Sequence, residues 1–146
     1  MPTRRELDEA EIRAHYDTLI KGLRAKDLEA LKSLYGADIV SFDIEPPLQH
    51  VGIEGKLKNW EGAFATFQSI DYEIRDLEIT VGDEVAFAHS FSRLSGTLKN
   101  GQAISGVWVR YTGGLRKIDG QWLIVHDQVS VPTDFADGKA LLDLEP

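Results

Sequence analysis

The chain has no cysteine among its 146 residues. Disulfide bridges, thiol catalysis and cysteine-ligated metal sites are therefore excluded. The sequence also has no apolar run of about 18 residues and no apolar stretch after Met1, so we expect neither a membrane span nor a signal peptide. These absences are typical of a cytoplasmic protein without a membrane partner.

Clusters of basic residues are missing as well. The chain has 16 Lys and Arg against 24 Asp and Glu, which gives a net charge of −8. Because a surface of this sign repels phosphate backbones, we expect no nucleic-acid partner. The length and the hydrophobic content of 42% suit one domain over residues 1–146 with one core.

The first third of the sequence has helical periodicity. Thr3 and Glu6 have the spacing of a capping box in front of a long amphipathic helix. Asp27 is placed to cap a second, shorter helix that Gly36 would close. A strand at residues 38–45 and a Gly-Ile-Glu-Gly turn follow. The third predicted helix has four apolar residues on one stripe: Leu57, Trp60, Phe64 and Phe67.

From Ile70 onward the apolar residues alternate with a period of two, which is typical of strands. Asn-Gly and Asp-Gly pairs between the apolar runs indicate hairpin turns. The order of elements predicts an α+β fold with three N-terminal helices packed on the concave face of a curved, mainly antiparallel sheet. The four long strands are predicted at residues 70–81, 84–94, 104–118 and 121–131.

Two stretches of the sequence resemble a known family. They are AKDLEALKSLYGADIVSFD at residues 25–43 and RKIDGQWLIVHDQVSVP at residues 116–132. Together with the order of elements they resemble the nuclear transport factor 2-like superfamily, and within it the SnoaL-like and ketosteroid-isomerase-like proteins. The resemblance implies a cone-shaped domain with a pocket between helices and sheet, and a homodimer packed through the other sheet face. The superfamily contains several kinds of enzyme and also association domains, so the fold does not select a reaction.

His126 and Asp127 are neighbours in the last predicted strand, so their side chains point to opposite faces. Leu123, Val125 and Val129 alternate in step with Asp127. Because the face under the helices should be the more apolar one, we expect Asp127 to point inward and His126 outward. A β-bulge in this strand would invert the assignment.

The preceding strand divides in the same way. Val109 and Tyr111 are expected to face the pocket, and the residues between them the other side. Aromatic residues and arginine are enriched in protein interfaces, so the outward residues of both strands predict a dimer interface. Its members are Trp108, Arg110, Thr112, His126, Gln128 and Ser130.

Asp43 is the first candidate for a catalytic base. The resemblance to the ketosteroid isomerases aligns it, sixteen residues after Asp27, with the general-base aspartate of that group. A carboxylate serves as a base when it is held close to the substrate and partly desolvated. The same alignment has Leu19 and Gly113 where those isomerases have their oxyanion hole. This difference argues against ketosteroid isomerase activity.

His89 is the third candidate, because it alternates with Phe87 and Phe91 on a face that we expect to be inward. Asp43, Asp127 and His89 would then converge as catalytic groups, although a buried histidine is more often a structural core residue. Asp127 could equally hydrogen-bond the backbone or a tyrosine hydroxyl. The predicted ligand-binding residues are Tyr16, Trp60, Phe64, Phe87, Phe91, Val109, Tyr111, Val125 and Val129.

Two functions are compatible with these residues. The first is an isomerase, lyase or cyclase, or hydrolase that uses pocket carboxylates for proton transfer on a small apolar or aromatic substrate. The second is a non-catalytic ligand-binding or dimeric association domain. No cofactor and no metal are predicted, because the four histidines lack the spacing of a metal site and no glycine-rich phosphate loop is present.

Overall fold

A computed structural model describes all residues, 1–146. It contains three helices and nine strands, most of them in one sheet. The helices are α1 (Arg4–Ala25), α2 (Leu28–Lys32) and α3 (Gly52–Thr66). The strands are β1 (Tyr35–Phe42), β2 (His50–Val51), β3 (Phe67–Val81), β4 (Val85–Leu98), β5 (Ala103–Ile104), β6 (Trp108–Ile118), β7 (Gln121–Ser130), β8 (Thr133–Asp134) and β9 (Lys139–Ala140).

The main sheet has the strand order β2-β1-β7-β6-β4-β3, with β5 paired to β4. Its pairs are antiparallel except for β1 and β7, which run parallel. Helix α1 packs on β3 and α3 packs on β1, so the helices cover one face of the sheet. The predicted α+β architecture is therefore confirmed. No helix is both long enough and apolar enough to span a membrane.

Helix α1 begins as its capping signal predicts. The Thr3 hydroxyl accepts a hydrogen bond from the Glu6 amide, and the Glu6 carboxylate accepts one from the Thr3 amide, each at 3.1 Å. This exchange satisfies two backbone donors that the first helical turn leaves without partners. The helix ends at Ala25, and the capping residue Lys26 has a left-handed φ of 53°. Its buried face consists of Ile12, Tyr16, Leu19 and Leu23.

Two predicted boundaries near the second and third helices are wrong. Helix α2 ends at Lys32, and Tyr35 opens β1 instead of extending the helix. The reason is tertiary: the Ile124 amide of β7 donates to the Leu34 carbonyl at 2.9 Å, which draws this segment into the parallel sheet pair. The predicted Gly-Ile-Glu-Gly turn is the first turn of α3, which starts at Gly52.

The face assignment of β4 is also wrong. The inward row consists of small residues, Ala86, Ala88, Ser90 and Ser92, all of which are buried. The aromatic row points outward, and Phe87 is 50% exposed. Small side chains face inward because large ones lie beside them on β6: Ser90, for example, stands opposite the buried Tyr111.

Strand β7 contains a bulge that the apolar pattern conceals. Residue Ile124 pairs with Leu115 and His126 pairs with Gly114, so Val125 is an extra residue in the ladder. The inward row changes phase at this point and reads Trp122, Ile124, Asp127 and Val129. Asp127 points inward as predicted, but Leu123 and Val125 lie on the outer side, lining a groove there.

Gly113 leaves space for two tyrosine hydroxyls in the core. The hydroxyls of Tyr16 and Tyr111 are hydrogen-bonded at 2.9 Å. A Cβ atom at Gly113 would lie 2.3 Å from the Tyr111 hydroxyl and 2.7 Å from the Tyr16 hydroxyl. Such distances are far below van der Waals contact, and both rings are held rigidly by burial.

We expect Gly113→Ala to lower the free energy of unfolding by about 1–3 kcal/mol, the usual cost of overpacking a core. Urea unfolding would measure the change. Gly114→Ala is the matched control, because its Cβ would meet no atom closer than 3.7 Å. Equal stability of the two variants would contradict this account of the tyrosine pair.

Candidate functional site

A cavity of about 450 Å³ lies between the inward face of the sheet and helix α3. A volume of this size suits a small organic ligand. Polar groups occur at two places on its wall, and the remainder is mostly apolar. The apolar lining consists of Leu19, Phe42, Ile44, Trp60, Ala63, Phe67, Leu94, Val107, Val109 and Val129.

A buried ion pair forms one polar part of the wall. The ammonium of Lys56, on α3, lies 2.9 Å from a carboxylate oxygen of Asp127, on β7. The two residues are only 8% and 5% exposed. The other carboxylate oxygen accepts a short hydrogen bond from the Ser41 hydroxyl, which in turn accepts one from Lys56 at 3.2 Å. Both oxygens of Asp127 are thus occupied.

Aromatic rings complete the surroundings of Lys56. Its ammonium lies 5.5 Å from the ring centre of Tyr35 and 5.4 Å from that of Trp60. Burial by itself lowers the pKa of Lys56, but Tyr35 and the carboxylate of Asp127 outweigh this effect. The net pKa of Lys56 is raised, so the amine stays protonated and serves as a cationic donor.

All four tyrosines of the chain are buried near the ion pair. Burial raises the pKa of each hydroxyl, to about 12 for Tyr72. They are therefore neutral phenols that can donate hydrogen bonds at physiological pH. Three of them, Tyr35, Tyr72 and Tyr111, line the cavity, and Tyr16 lies behind Tyr111.

The other polar part of the wall is Asp43, just beyond the end of β1. One of its oxygens accepts a hydrogen bond from the Ile44 amide at 2.7 Å, and the other accepts one from the Asn59 side chain at 2.5 Å. Asp43 is half-buried and belongs to none of the ion pairs of the chain. Unlike Asp127, it is a carboxylate without a counter-ion.

The cavity brings together half of the predicted site residues. Asp43 and Asp127 line it, and their catalytic roles stay predictions. Tyr16 and Phe64 lie instead in the core between helices and sheet. The predicted ligand-binding residues that line the cavity are Trp60, Val109, Tyr111 and Val129.

His89 does not face the cavity. It lies on the outward row of β4 with Phe87 and Phe91, and it is exposed. The predicted convergence with Asp43 and Asp127 is therefore wrong, and the inward placement of Val125 is wrong because of the bulge. No group of three or more His, Asp and Glu side chains is arranged to hold a metal ion.

The chain matches a known domain family over residues 12–134, the family of SnoaL-like domains. This match spans most of the chain. The chain belongs to the SnoaL-like family. No curated protein sequence matches it.

Solved structures show the same fold. A nuclear transport factor 2-like protein of unknown function from Pseudomonas putida is 29% identical, with a TM-score of 0.83, over 94% of this chain and 96% of that one. A protein from Novosphingobium aromaticivorans provisionally named scytalone dehydratase is 17% identical, with a TM-score of 0.77, over 87% and 85%. A nuclear transport factor 2-like superfamily protein from Salmonella enterica is 20% identical, with a TM-score of 0.78, over 92% and 98%.

Sequence reasoning missed Lys56 and Ser41 in this SnoaL-like site, although both carry a positional signal. Lys56 lies three residues after Ile53 and four before Trp60, which places it on the apolar stripe of α3. Ser41 lies two residues before Asp43, on the same face of the strand. A lysine on an apolar stripe indicates a buried counter-ion, and Asp127 is that counter-ion.

The predicted dimer residues lie on the outer sheet face, where the guanidinium groups of Arg75 and Arg93 flank the ring of Trp108 at 4.6 and 4.8 Å. The Arg110 guanidinium donates to the Ser130 hydroxyl at 3.1 Å. His126 is fixed by a hydrogen bond of 2.7 Å with the Val40 carbonyl. The arrangement is an ordered polar and aromatic surface, and its role in a dimer stays a prediction.

We expect the folded chain to lose stability when one charge of the buried ion pair is removed and the other is left unpaired. Asp127→Leu and Lys56→Met should each lower the free energy of unfolding by about 3–5 kcal/mol, because a buried charge loses its partner. The double variant should lose less than either single variant, since no unpaired charge remains. Guanidinium unfolding of all three would measure this coupling.

The control is the surface pair of Arg24 and Asp71, whose side chains are more than half exposed. Arg24→Met should cost less than about 1 kcal/mol. If the double variant lost the sum of the unfolding free energies that Lys56→Met and Asp127→Leu lose separately, the two charges would not be energetically coupled.

Proposed function

We propose that this SnoaL-like chain is an enzyme that transfers a proton on a small apolar or aromatic substrate. Asp43 is the base, and Lys56 with the tyrosine hydroxyls of the cavity holds a substrate oxygen. One observation carries the proposal: protonated donors and an unpaired carboxylate lie on the wall of the same cavity. Isomerases, lyases and hydrolases all use this combination.

The hydrogen-bonding of the two aspartates supports different roles for them. Asp127 is neutralised by Lys56 and Ser41, so its function is to position the ammonium. Asp43 also accepts one hydrogen bond on each oxygen, but both donors are neutral amides, so no cation offsets its charge. It therefore retains the capacity to accept a proton from a carbon atom of a bound substrate.

The donors suit a developing negative charge on oxygen. Lys56 uses two of its three N–H groups on Asp127 and Ser41, which leaves one for a ligand. Tyr35 and Tyr72 are neutral donors close to it. Preorganised donors in a dry site stabilise an enolate or alkoxide far more than water does.

The position of Gly113 separates this site from that of ketosteroid isomerases. The resemblance gives those enzymes an acid at this point, whereas here the hydroxyls of Tyr16 and Tyr111 fill the space. Leu19 contributes only an apolar surface to the cavity. In this chain the substrate oxygen is therefore bound by Lys56 and its neighbouring hydroxyls, and Lys56 lies on helix α3.

A general test is catalysed deuterium exchange into β-tetralone, a bicyclic ketone with acidic C–H bonds beside its carbonyl group. In deuterium oxide, Asp43 would remove a proton, exchange it with solvent and return a deuteron to the enolate. We expect Asp43→Asn to slow this exchange by about hundredfold or more, as the loss of a general base does. Proton NMR would follow the reaction.

Asp38→Asn is the matched control, because Asp38 is exposed on the same strand and lines only the outer groove. It should leave the exchange rate unchanged. If wild-type protein binds β-tetralone without accelerating exchange, the chain is a ligand-binding protein and the catalytic proposal fails. If Asp43→Asn exchanged deuterium at the wild-type rate, Asp43 would not be the base.

We propose further that the outer sheet face joins two copies of the chain in a homodimer. Large apolar side chains lie exposed there, among them Val85 and Phe87, beside the stacked Trp108. An aromatic surface with arginines at its edge is typical of an interface. We also propose that the protein is located in the cytoplasm.

Trp108→Glu should convert the dimer into a monomer in sedimentation velocity, because a carboxylate would be desolvated at the interface. Leu7→Glu is the control: Leu7 is an exposed apolar residue on α1, away from the sheet face. An unchanged dimer in Trp108→Glu would rule out this face as the interface.

A further inference from the structure

Residues 133–146 form an arm that follows β7 and contains the small hairpin of β8 and β9. All of its hydrogen bonds lie within the segment itself or reach Pro132, for example Gly138 to Asp134 and Leu141 to Pro132. No other hydrogen bond and no ion pair joins the arm to the rest of the chain. The SnoaL-like match ends at residue 134, so the arm from Phe135 onward lies outside the matched region.

The arm exposes apolar side chains that its own chain does not cover. Phe135 is 94% exposed, and Leu142 and Leu144 are about half exposed. An isolated two-stranded hairpin is at best marginally stable in water. The uncovered phenylalanine and leucines therefore indicate a surface elsewhere that receives the arm.

A groove on the outer sheet face has an apolar lining that could receive these side chains. It lies where β1, the end of β6 and the start of β7 meet, and its volume is about 640 Å³. The bulge turns Val125 outward, where it packs on Gly36. Because Gly36 has no side chain, the groove is deep at this point. Its apolar lining consists of Val40, Ile118, Leu123 and Val125.

The charges of arm and groove are complementary. The arm has four acidic residues, Asp134, Asp137, Asp143 and Glu145, and one basic residue, Lys139. Arg116 lines the groove, is exposed, and forms no ion pair within the chain. Asp38 is the one acid on the groove wall, and it is separated from Arg116 by more than ion-pair distance.

We propose that the arm of one copy packs into this groove on a second copy. Leu142 and Leu144 alternate in an extended segment and lie on the apolar floor, while Asp143 and Glu145 face Arg116. The second copy is that of the homodimer proposed above, on which this inference rests. The arm thereby adds its own contacts to those between the two sheet faces.

Distances along the chain permit the exchange. The arm leaves from the end of β7, and the groove lies at its start, seven residues away at Leu123, which spans roughly 23 Å of strand. If the two copies of β7 run antiparallel across a two-fold axis, the end of one strand lies near the start of the other. The hairpin of β8 and β9 returns the chain to Pro132, whose carbonyl accepts a hydrogen bond from the Leu141 amide. Residues 142–146 extend from there by up to roughly 17 Å, which is less than the distance to the groove of their own copy.

Because the chain has no cysteine, two engineered thiols test the contact directly. Leu144→Cys and Ile118→Cys chains of different mass are mixed under mild oxidation. We expect a disulfide-linked heterodimer as the main product, while a mixture of Leu144→Cys with Leu7→Cys should give little. Equal yields in the two mixtures would overturn the proposal, as would an intramolecular disulfide in a Leu144→Cys/Ile118→Cys double variant.

Sedimentation separates this inference from the proposed dimer. Removal of residues 133–146 should raise the dimer dissociation constant by about tenfold or more, and Arg116→Glu should act in the same direction. A dimer that forms with unchanged affinity without the arm would overturn the arm contact alone. A wild-type chain that is monomeric and does not cross-link would overturn both proposals.

Discussion

The buried ion pair of Lys56 and Asp127 is the constraint around which the pocket is organised. Both charges leave water when the chain folds, which costs several kcal/mol per ion unless the partner geometry is good. The geometry is good here because α3 and β7 approach each other over β1, whose Ser41 hydroxyl bridges the two groups. The position of α3 on the sheet is thus fixed by charge as well as by apolar packing.

The pair also determines what else the pocket contains. A protonated lysine that is buried in the cavity wall requires neighbours that interact favourably with a cation. The rings of Tyr35 and Trp60 are such neighbours. The same burial keeps the tyrosine hydroxyls neutral. One folding requirement therefore yields a group of donors at one place, and leaves Asp43, which is outside the pair, as a carboxylate without a counter-ion.

Much of the fold could be predicted from the sequence, because capping residues, hairpin turns and apolar periodicity are local signals. The capping box of α1 and the long strands from Ile70 onward are examples. The site was predicted less well, because face assignment depends on packing between distant elements. In β4 the aromatic row has the pattern of a core, yet the small residues face inward beside the large Tyr111 of β6. Apolar character alone could not distinguish these two arrangements.

The bulge at Val125 divides β7 into two halves whose phases are independent. The first half anchors Trp122 in the core, and the second half determines which of two neighbouring side chains enters the pocket. A regular β7 that kept all of its residues would keep the anchor and place His126 instead of Asp127 at the ion pair. Lys56 would then face an imidazole instead of a carboxylate. Within this fold, the chemical character of the pocket thus depends on one extra residue in the strand ladder.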